Sequence, residues 1–306
     1  MPLHCDTPLI QSHALSELTG RSVWLKLDAL QPCGSFKIRG IGNACEIHHS
    51  RGARSFVCSS GGNAGLAVAY AGRQLKVPVR VVVPESATER AKELLYLENA
   101  DVIVHGPTWQ EANEFAQSLV GPDDVFLHPF DDPLLWDGHA TLIDEIRHSG
   151  IQPDAIVLSV GGGGLLSGIV EGLHRHSWHE IPVFAVETVG ANSFHEAMKA
   201  GQPISLDKVS TIATSLAAKQ VCQQAVNWSK THPIHSVLVS DHSALNACRR
   251  FLDDHRILVE PACGASLSMI YEKSTELEKF SKILVIVCGG ATATIDQILK
   301  WSELAT

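Results

Sequence analysis

Lys37 stands between Phe36 and Ile38 in the run Gly34-Ser35-Phe36-Lys37-Ile38-Arg39-Gly40. A lysine partly removed from water by such neighbours has a lowered pKa and becomes a nucleophilic amine suited to a Schiff base. The same run would also be at home on a surface. Gly161, Gly162, Gly163 and Gly164 follow an apolar stretch and precede Leu165. Glycines let a backbone approach a ligand closely. Main-chain N–H groups at a helix start, with roughly half a positive charge behind them, favour an anion. The four glycines therefore read as a phosphate cradle, with a tight strand–helix turn as the plainer reading. A third cluster is Ser59-Ser60-Gly61-Gly62-Asn63-Ala64-Gly65. Its amides, the Ser60 hydroxyl and the Asn63 side chain could hold a carboxylate at a helix start. Ser or Asn could equally be capping that helix.

The kind of phosphate is narrowed by what the glycines do not spell. Leu166 or Ser167 falls where the last glycine of G-x-G-x-x-G should be, so a dinucleotide site does not fit in any register. Glu187, about where a ribose-binding acid would sit, is the one feature in favour of that reading. There is no G-x-x-x-x-G-K-[ST] for a nucleoside triphosphate. A cofactor that needs both a lysine and a phosphate site is pyridoxal phosphate.

These residues need strands and helices to position them. Short apolar, β-branched runs at 23–27, 55–58, 79–83, 102–104, 155–160, 183–186, 236–239 and 283–288 have strand length. Stretches with three–four spacing at 64–75, 88–97, 109–119, 165–174 and 243–253 read as helices. Such alternation implies an α/β fold with parallel sheet covered by helices. Three of the strands run straight into glycines, at 59–65, 161–164 and 289–290. Ligands of open α/β sheets bind at the carboxyl ends of strands, so the three loops should share one pocket. The chain has 306 residues, enough for about two domains or lobes. The stretches 131–133 and 37–42 are candidate crossings between them.

Composition excludes other classes. Lys and Arg number 24 against 33 Asp and Glu, a formal charge of −9, which is wrong for a general nucleic-acid binder. No apolar run reaches the roughly 18 residues of a membrane span, and no secretory signal is visible at the start. The eight cysteines form no C-x-x-C pair, so they read as reduced thiols of a cytoplasmic protein. The sixteen histidines lack the spacing of a helical metal pair and read as ordinary surface residues.

Taken together, these runs resemble the L-serine dehydratases, pyridoxal phosphate enzymes of fold type II (the tryptophan-synthase-β superfamily). The likeness is carried by residues 34–40, 59–65 and 161–165, by Leu258-Val259-Glu260-Pro261-Ala262-Cys263-Gly264-Ala265, and by Val287-Cys288-Gly289-Gly290. Residues 129–140, which begin Pro129-Phe130-Asp131-Asp132-Pro133, also match, so nearly the whole chain is covered. The resemblance implies an α/β protein of two lobes, each with a mostly parallel sheet flanked by helices, and an active site in the cleft between them. Residues 1–37 and 131–306 would form the large lobe and 38–130 the small one.

By the same resemblance Lys37 forms the Schiff base with the cofactor, and Phe36 and Ser215 lie on the two faces of its ring. Asn63 bonds its 3′-oxygen. Gly161, Gly162, Gly163, Gly164 and Leu165 hold the phosphate, and Cys288 sits beside the ring nitrogen. Ser60, Gly61, Asn63 and Ala64 hold the substrate, with Lys37, Ser60 and Asn63 at the chemistry. A monovalent cation, K⁺, is bound by the Glu187 carboxylate, the Ser193 hydroxyl and main-chain oxygens of Gly161, Ala191, Leu216 and Ala218. Oxygen-only ligation suits a hard cation, and this role replaces the ribose reading of Glu187. A thiol with a reference pKa of about 8.5 keeps its proton beside a pyridine nitrogen. The ring then stays neutral, which favours loss of a β-hydroxyl over transamination.

The implied activity is the conversion of L-serine to pyruvate and ammonia, and of L-threonine to 2-oxobutyrate, by a homodimer. Gly61 stands where the most active dehydratases tend to carry alanine, and would widen the pocket floor. The alternatives are a threonine deaminase, a serine racemase, a β-replacing synthase, a non-catalytic cofactor-binding protein, or a dinucleotide-dependent dehydrogenase.

Overall fold

The structure is a computed structural model that describes residues 1–304. The strands are β1 (Leu9–Gln11), β2 (Ser22–Lys26), β3 (Ser55–Cys58), β4 (Val79–Val83), β5 (Asp101–Val104), β6 (Asp124–Phe126), β7 (Ala155–Ser159), β8 (Val183–Thr188), β9 (Ile234–Val239) and β10 (Lys282–Ile286). The helices between them are α1 (His13–Thr19), α2 (Lys37–Ser50), α3 (Asn63–Leu75), α4 (Glu89–Leu97), α5 (Trp109–Ser118), α6 (Pro133–His148), α7 (Gly164–Arg175), α8 (Ser193–Ala200), α9 (Gln223–Ser229), α10 (Asp241–His255), α11 (Pro261–Tyr271) and α12 (Ile295–Leu304).

The strands form two sheets. A six-stranded sheet has the order β1-β2-β10-β7-β8-β9, and a four-stranded sheet has the order β5-β4-β3-β6. Every pairing is parallel except β1 with β2, where Leu9 faces Lys26 and Gln11 faces Trp24. β7 and β8 are buried at every residue, the mark of parallel strands covered by helices on both faces. Each sheet has its own core. Ile156, Val157 and Leu158 of β7 pack with Leu166, Ile169 and Val170 of α7 and with Ala265, Leu267 and Met269 of α11. In the smaller sheet Phe56 and Val81 pack with Ile38 and Ile41 of α2 and Ala67 and Val68 of α3. Val57 and Val82 point the other way, onto Ala112 and Ala116 of α5.

A buried ion network ties these parts together. The Arg39 guanidinium, fully buried on α2, donates to Asp28 at 2.7 and 3.0 Å and to Glu145 of α6. Lys26, at the end of β2, also reaches Glu145 and donates to the Thr7 carbonyl at 2.6 Å. Residues 37–42 are the first turns of α2, held down by this network. Asp132 and Pro133 start α6: the Asp132 carboxylate caps it at Leu134 N, 2.7 Å, with Pro133 in the first turn.

Candidate active site

Lys37 is the first residue of α2, and its Nζ donates to the Pro129 carbonyl at 2.6 Å. Burial brings the amine down from 10.5 to about 8, partly opposed by Cys58, Cys288 and Glu260. The Phe36 ring lies 5.2 Å from that amine and is backed, 4.9 Å away, by the ring of His139. His139 is fully buried, as is nearly all of His232, so these two are not the surface histidines read from sequence. Seven of the eight cysteines are buried, as their apolar surroundings imply.

The three glycine loops do meet. Asn63 opens α3, and its Nδ2 donates to Glu260 Oε1 at 2.7 Å and to Ser215 Oγ at 3.3 Å. Its Oδ1 accepts from Ala291 N at 3.0 Å, just beyond Gly289 and Gly290. The Cys288 carbonyl accepts from Phe36 N at 3.1 Å, and the Gly34 carbonyl from Gly290 N at 2.8 Å. On the third side, a β-carbon at Gly161 would lie 2.9 Å from the Ser215 carbonyl. Lys37, Phe36, Asn63, Ser215, Cys288 and the four-glycine loop are thus brought together.

Neither helix start there is capped by a side chain. The cap of α3 is Gly62, whose N–H makes only a 3.4 Å contact with Ser60 Oγ, so the capping reading of residues 59–65 is not the one found. The amides of Asn63 and Ala64 lie in the first turn. A methyl at Gly61 would meet Val83 Cγ1 at 3.1 Å and Ala87 Cβ at 3.8 Å, so the floor there is the end of β4. The cap of α7 is Gly163 at φ +89°, again without a side-chain bond. A β-carbon at Gly162 would strike the Phe130 ring at 2.2 Å, and one at Gly163 would strike Val221 and Ala225 at 2.7 and 2.8 Å. These glycines are demanded by the packing of the loop as well as by ligand approach. The Leu165 side chain is buried in the large core, which leaves its main-chain N–H for the loop.

A thiol and one acid, Glu260, lie among these residues, and a second buried acid, Glu187, lies at the end of β8. The Cys263 thiol and burial hold the Cys288 thiol well above its ordinary value, so it stays protonated. Glu260 precedes α11 and accepts from Asn63 and from Thr292 Oγ1, the latter at 3.2 Å. Burial pushes its carboxyl up, against the hydrogen bonds it receives. Sequence reasoning gave Glu260 no role. The proline after it announces a helix start and says nothing of where the acid points. Glu187, at the end of β8, accepts from Phe194 N and His195 N, both at 2.8 Å, at the start of α8. Burial raises it to about 8. The neighbouring Ser193 hydroxyl is buried with no partner, and Gly161 packs against Leu216, where a β-carbon would lie 3.1 Å from Cα. Leu216 O accepts from Ala218 N at 2.7 Å, and Thr188 O from Ala191 N at 2.9 Å. Among the described residues no three His, Cys, Asp or Glu side chains group as a metal site.

Residues 1–289 match the family described as pyridoxal-phosphate dependent enzyme. The L-serine dehydratase of Dictyostelium discoideum is 48% identical over 97% of this chain and 91% of its own length. The L-serine dehydratase/L-threonine deaminase of Homo sapiens is 47% identical over 99% of this chain and 95% of its own. The crystal structure of a fungal L-serine ammonia-lyase from Rhizomucor miehei superposes with a TM-score of 0.94 at 36% identity, covering 99% of both chains.

Proposed function

This chain belongs to the pyridoxal-phosphate dependent enzymes, and from that membership we propose that it is an L-serine dehydratase that also accepts L-threonine. The observation that carries the reading is the convergence of Lys37, which donates to the Pro129 carbonyl, with Asn63, the loop after β10 and two helix starts that no side chain caps. These residues fit pyridoxal phosphate: an amine for its aldehyde, a glycine-shaped helix start for its phosphate, a donor at Asn63 and a neutral thiol at Cys288.

Bound there, pyridoxal phosphate supplies the electron sink for the charge left on the substrate Cα when its proton is removed. The protein does the rest. The amides at the start of α3, with Ser60, Gly61 and Ala64, hold the substrate carboxylate and orient the Cα–H bond. Phe36 and Ser215 close the two ring faces, and Asn63 offers an N–H to the 3′-oxygen. Lys37 takes the Cα proton as a general base, a role its lowered pKa suits near neutral pH. The Cys288 thiol keeps its own proton and leaves the ring nitrogen uncharged, which favours release of the β-hydroxyl. With L-serine the products are pyruvate and ammonia, and with L-threonine 2-oxobutyrate and ammonia.

The reading includes a monovalent cation, K⁺, held by Glu187, Ser193 and the carbonyls of Gly161, Ala191, Leu216 and Ala218. Its support is the partnerless Ser193 hydroxyl beside a buried carboxylate that receives amide hydrogen bonds. The reading also takes residues 38–130 as the smaller lobe and the enzyme as a cytoplasmic homodimer, which light scattering and cell fractionation would check.

The test is an absorbance spectrum of purified protein with and without L-serine, with pyruvate assayed in the same cuvette. The expected result is a visible band that changes as pyruvate appears. A band that responds to L-serine without pyruvate would overturn the dehydratase reading and point to racemisation or β-replacement.

A further inference from the structure

Asn63 carries an amide whose two ends have nearly the same shape, so its partners alone decide which end faces the cofactor. One partner is Ala291 N–H, which can only donate, and it meets Asn63 Oδ1 at 3.0 Å. The other strong partner is Glu260 Oε1, which accepts from Asn63 Nδ2 at 2.7 Å. Turning the amide over would set an oxygen against the carboxylate and an NH₂ against an N–H. The remaining hydrogen on Nδ2 makes only a 3.3 Å contact, to Ser215 Oγ. That weak contact is the one a better acceptor in the cleft can replace.

The carboxylate is itself fixed. Thr292 Oγ1 donates to Oε2 at 3.2 Å. Gly290, at φ +136°, passes so close that a β-carbon there would lie 2.1 Å from Glu260 Cδ. The loop after β10 is shaped around this side chain. Glu260 therefore joins Asn63 of α3 and the loop at 290–292 from the head of α11.

We infer that Glu260 is a positioning residue: it locks the Asn63 amide so that one N–H of Nδ2 stays directed to the 3′-oxygen of pyridoxal phosphate. The inference rests on the proposed cofactor pocket. It does not depend on which reaction follows, so a parent enzyme that binds the cofactor without making pyruvate would sink the dehydratase reading alone.

The test is a double-mutant cycle read by cofactor affinity and absorbance. Glu260→Ala, Glu260→Gln and Asn63→Ala are made singly, and each Glu260 change is also combined with Asn63→Ala. Cofactor-free protein is titrated with pyridoxal phosphate. Glu260→Ala is expected to weaken binding about 10- to 100-fold, the scale of a lost hydrogen bond to a charged group, and to shift the visible band. Glu260→Gln keeps the shape and is expected to shift the band in the same direction by less. In the Asn63→Ala background either change should alter affinity less than about twofold, because residues acting through one another are not additive. Equal factors in both backgrounds would overturn the inference. So would single variants whose affinity and spectrum match the parent. If Glu260→Ala does not fold, the Glu260→Gln cycle decides by the same comparison.

Discussion

An amine buried to a pKa of about 8 sets the pH at which the cofactor can be taken up. Only neutral lysine attacks an aldehyde, and burial favours that form. The uptake rate of cofactor-free protein should therefore climb through about pH 8, where an ordinary lysine would still be almost wholly charged. Stopped-flow absorbance across about pH 6–11.5, a range that brackets the shifted and ordinary values, checks this. Lys37→Ala should remove the visible band and lower turnover by at least about 10²–10⁴-fold, measured by pyruvate release. The runs around Lys37 and Asn63 stood out by their glycines, but the duties proposed for them came from the resemblance, since the same lysine would suit a surface and the same asparagine a helix cap. Glu260 and His139 did not stand out. An acid before a proline, and a histidine inside a helix, reveal their direction only when α11 and α6 have been packed.

The helices α3 and α7 share a design in which glycine stands where a capping side chain usually would. The cost of changing it is legible at Gly163. Its φ of +89° and the 2.7 Å approach of Val221 mean that Gly163→Ala adds both backbone strain and overpacking. We expect a loss of about 2–4 kcal/mol in urea unfolding, with weakened cofactor binding. Asp132→Ala, which removes the cap of α6, should cost only about 1 kcal/mol and leave the cofactor spectrum unchanged. The strands leading into glycines were plain from sequence because β-branched runs with abrupt ends have few other meanings. β1 and β6 were not, being three residues each, too short for any period. α11 escaped notice because it is buried on every side and has no polar stripe to mark its turns. α2 escaped for a different reason: its two early glycines look like a loop. Gly40 is instead where α2 comes up against α6, since a β-carbon there would lie 2.6 Å from His139 and from the Leu135 carbonyl.

Two sheets with separate cores need something more than a shared cleft to keep their relation. The Arg39, Asp28, Glu145 and Lys26 network supplies it, running from β2 and the N-terminal segment to α2 and α6. Removing one member leaves buried charges without partners, so Arg39→Met should cost about 3–5 kcal/mol, seen as a large fall in Tm. Replacing KCl by choline chloride should lower Tm of the parent, and Glu187→Gln should abolish that salt specificity, which differential scanning calorimetry would measure. Length was enough to expect about two lobes and alternation to expect parallel sheet, while the cleft between the lobes was implied by the resemblance alone. The ion network was hidden, because Asp28 and Glu145 are brought to Arg39 only by the fold.

The uncapped starts of α3 and α7 carry a consequence for the life of the protein in a cell. Two helix starts that no side chain caps, beside a lysine held from water, are ends that a bound anion would stabilise. A ligand that binds only the folded chain adds stability in proportion to the logarithm of its concentration. The fraction of molecules open to proteases should then rise as pyridoxal phosphate runs short. A scarcity of the vitamin that supplies it would thin the population of this protein as well as idle it, so that abundance itself becomes a gauge of nutrition.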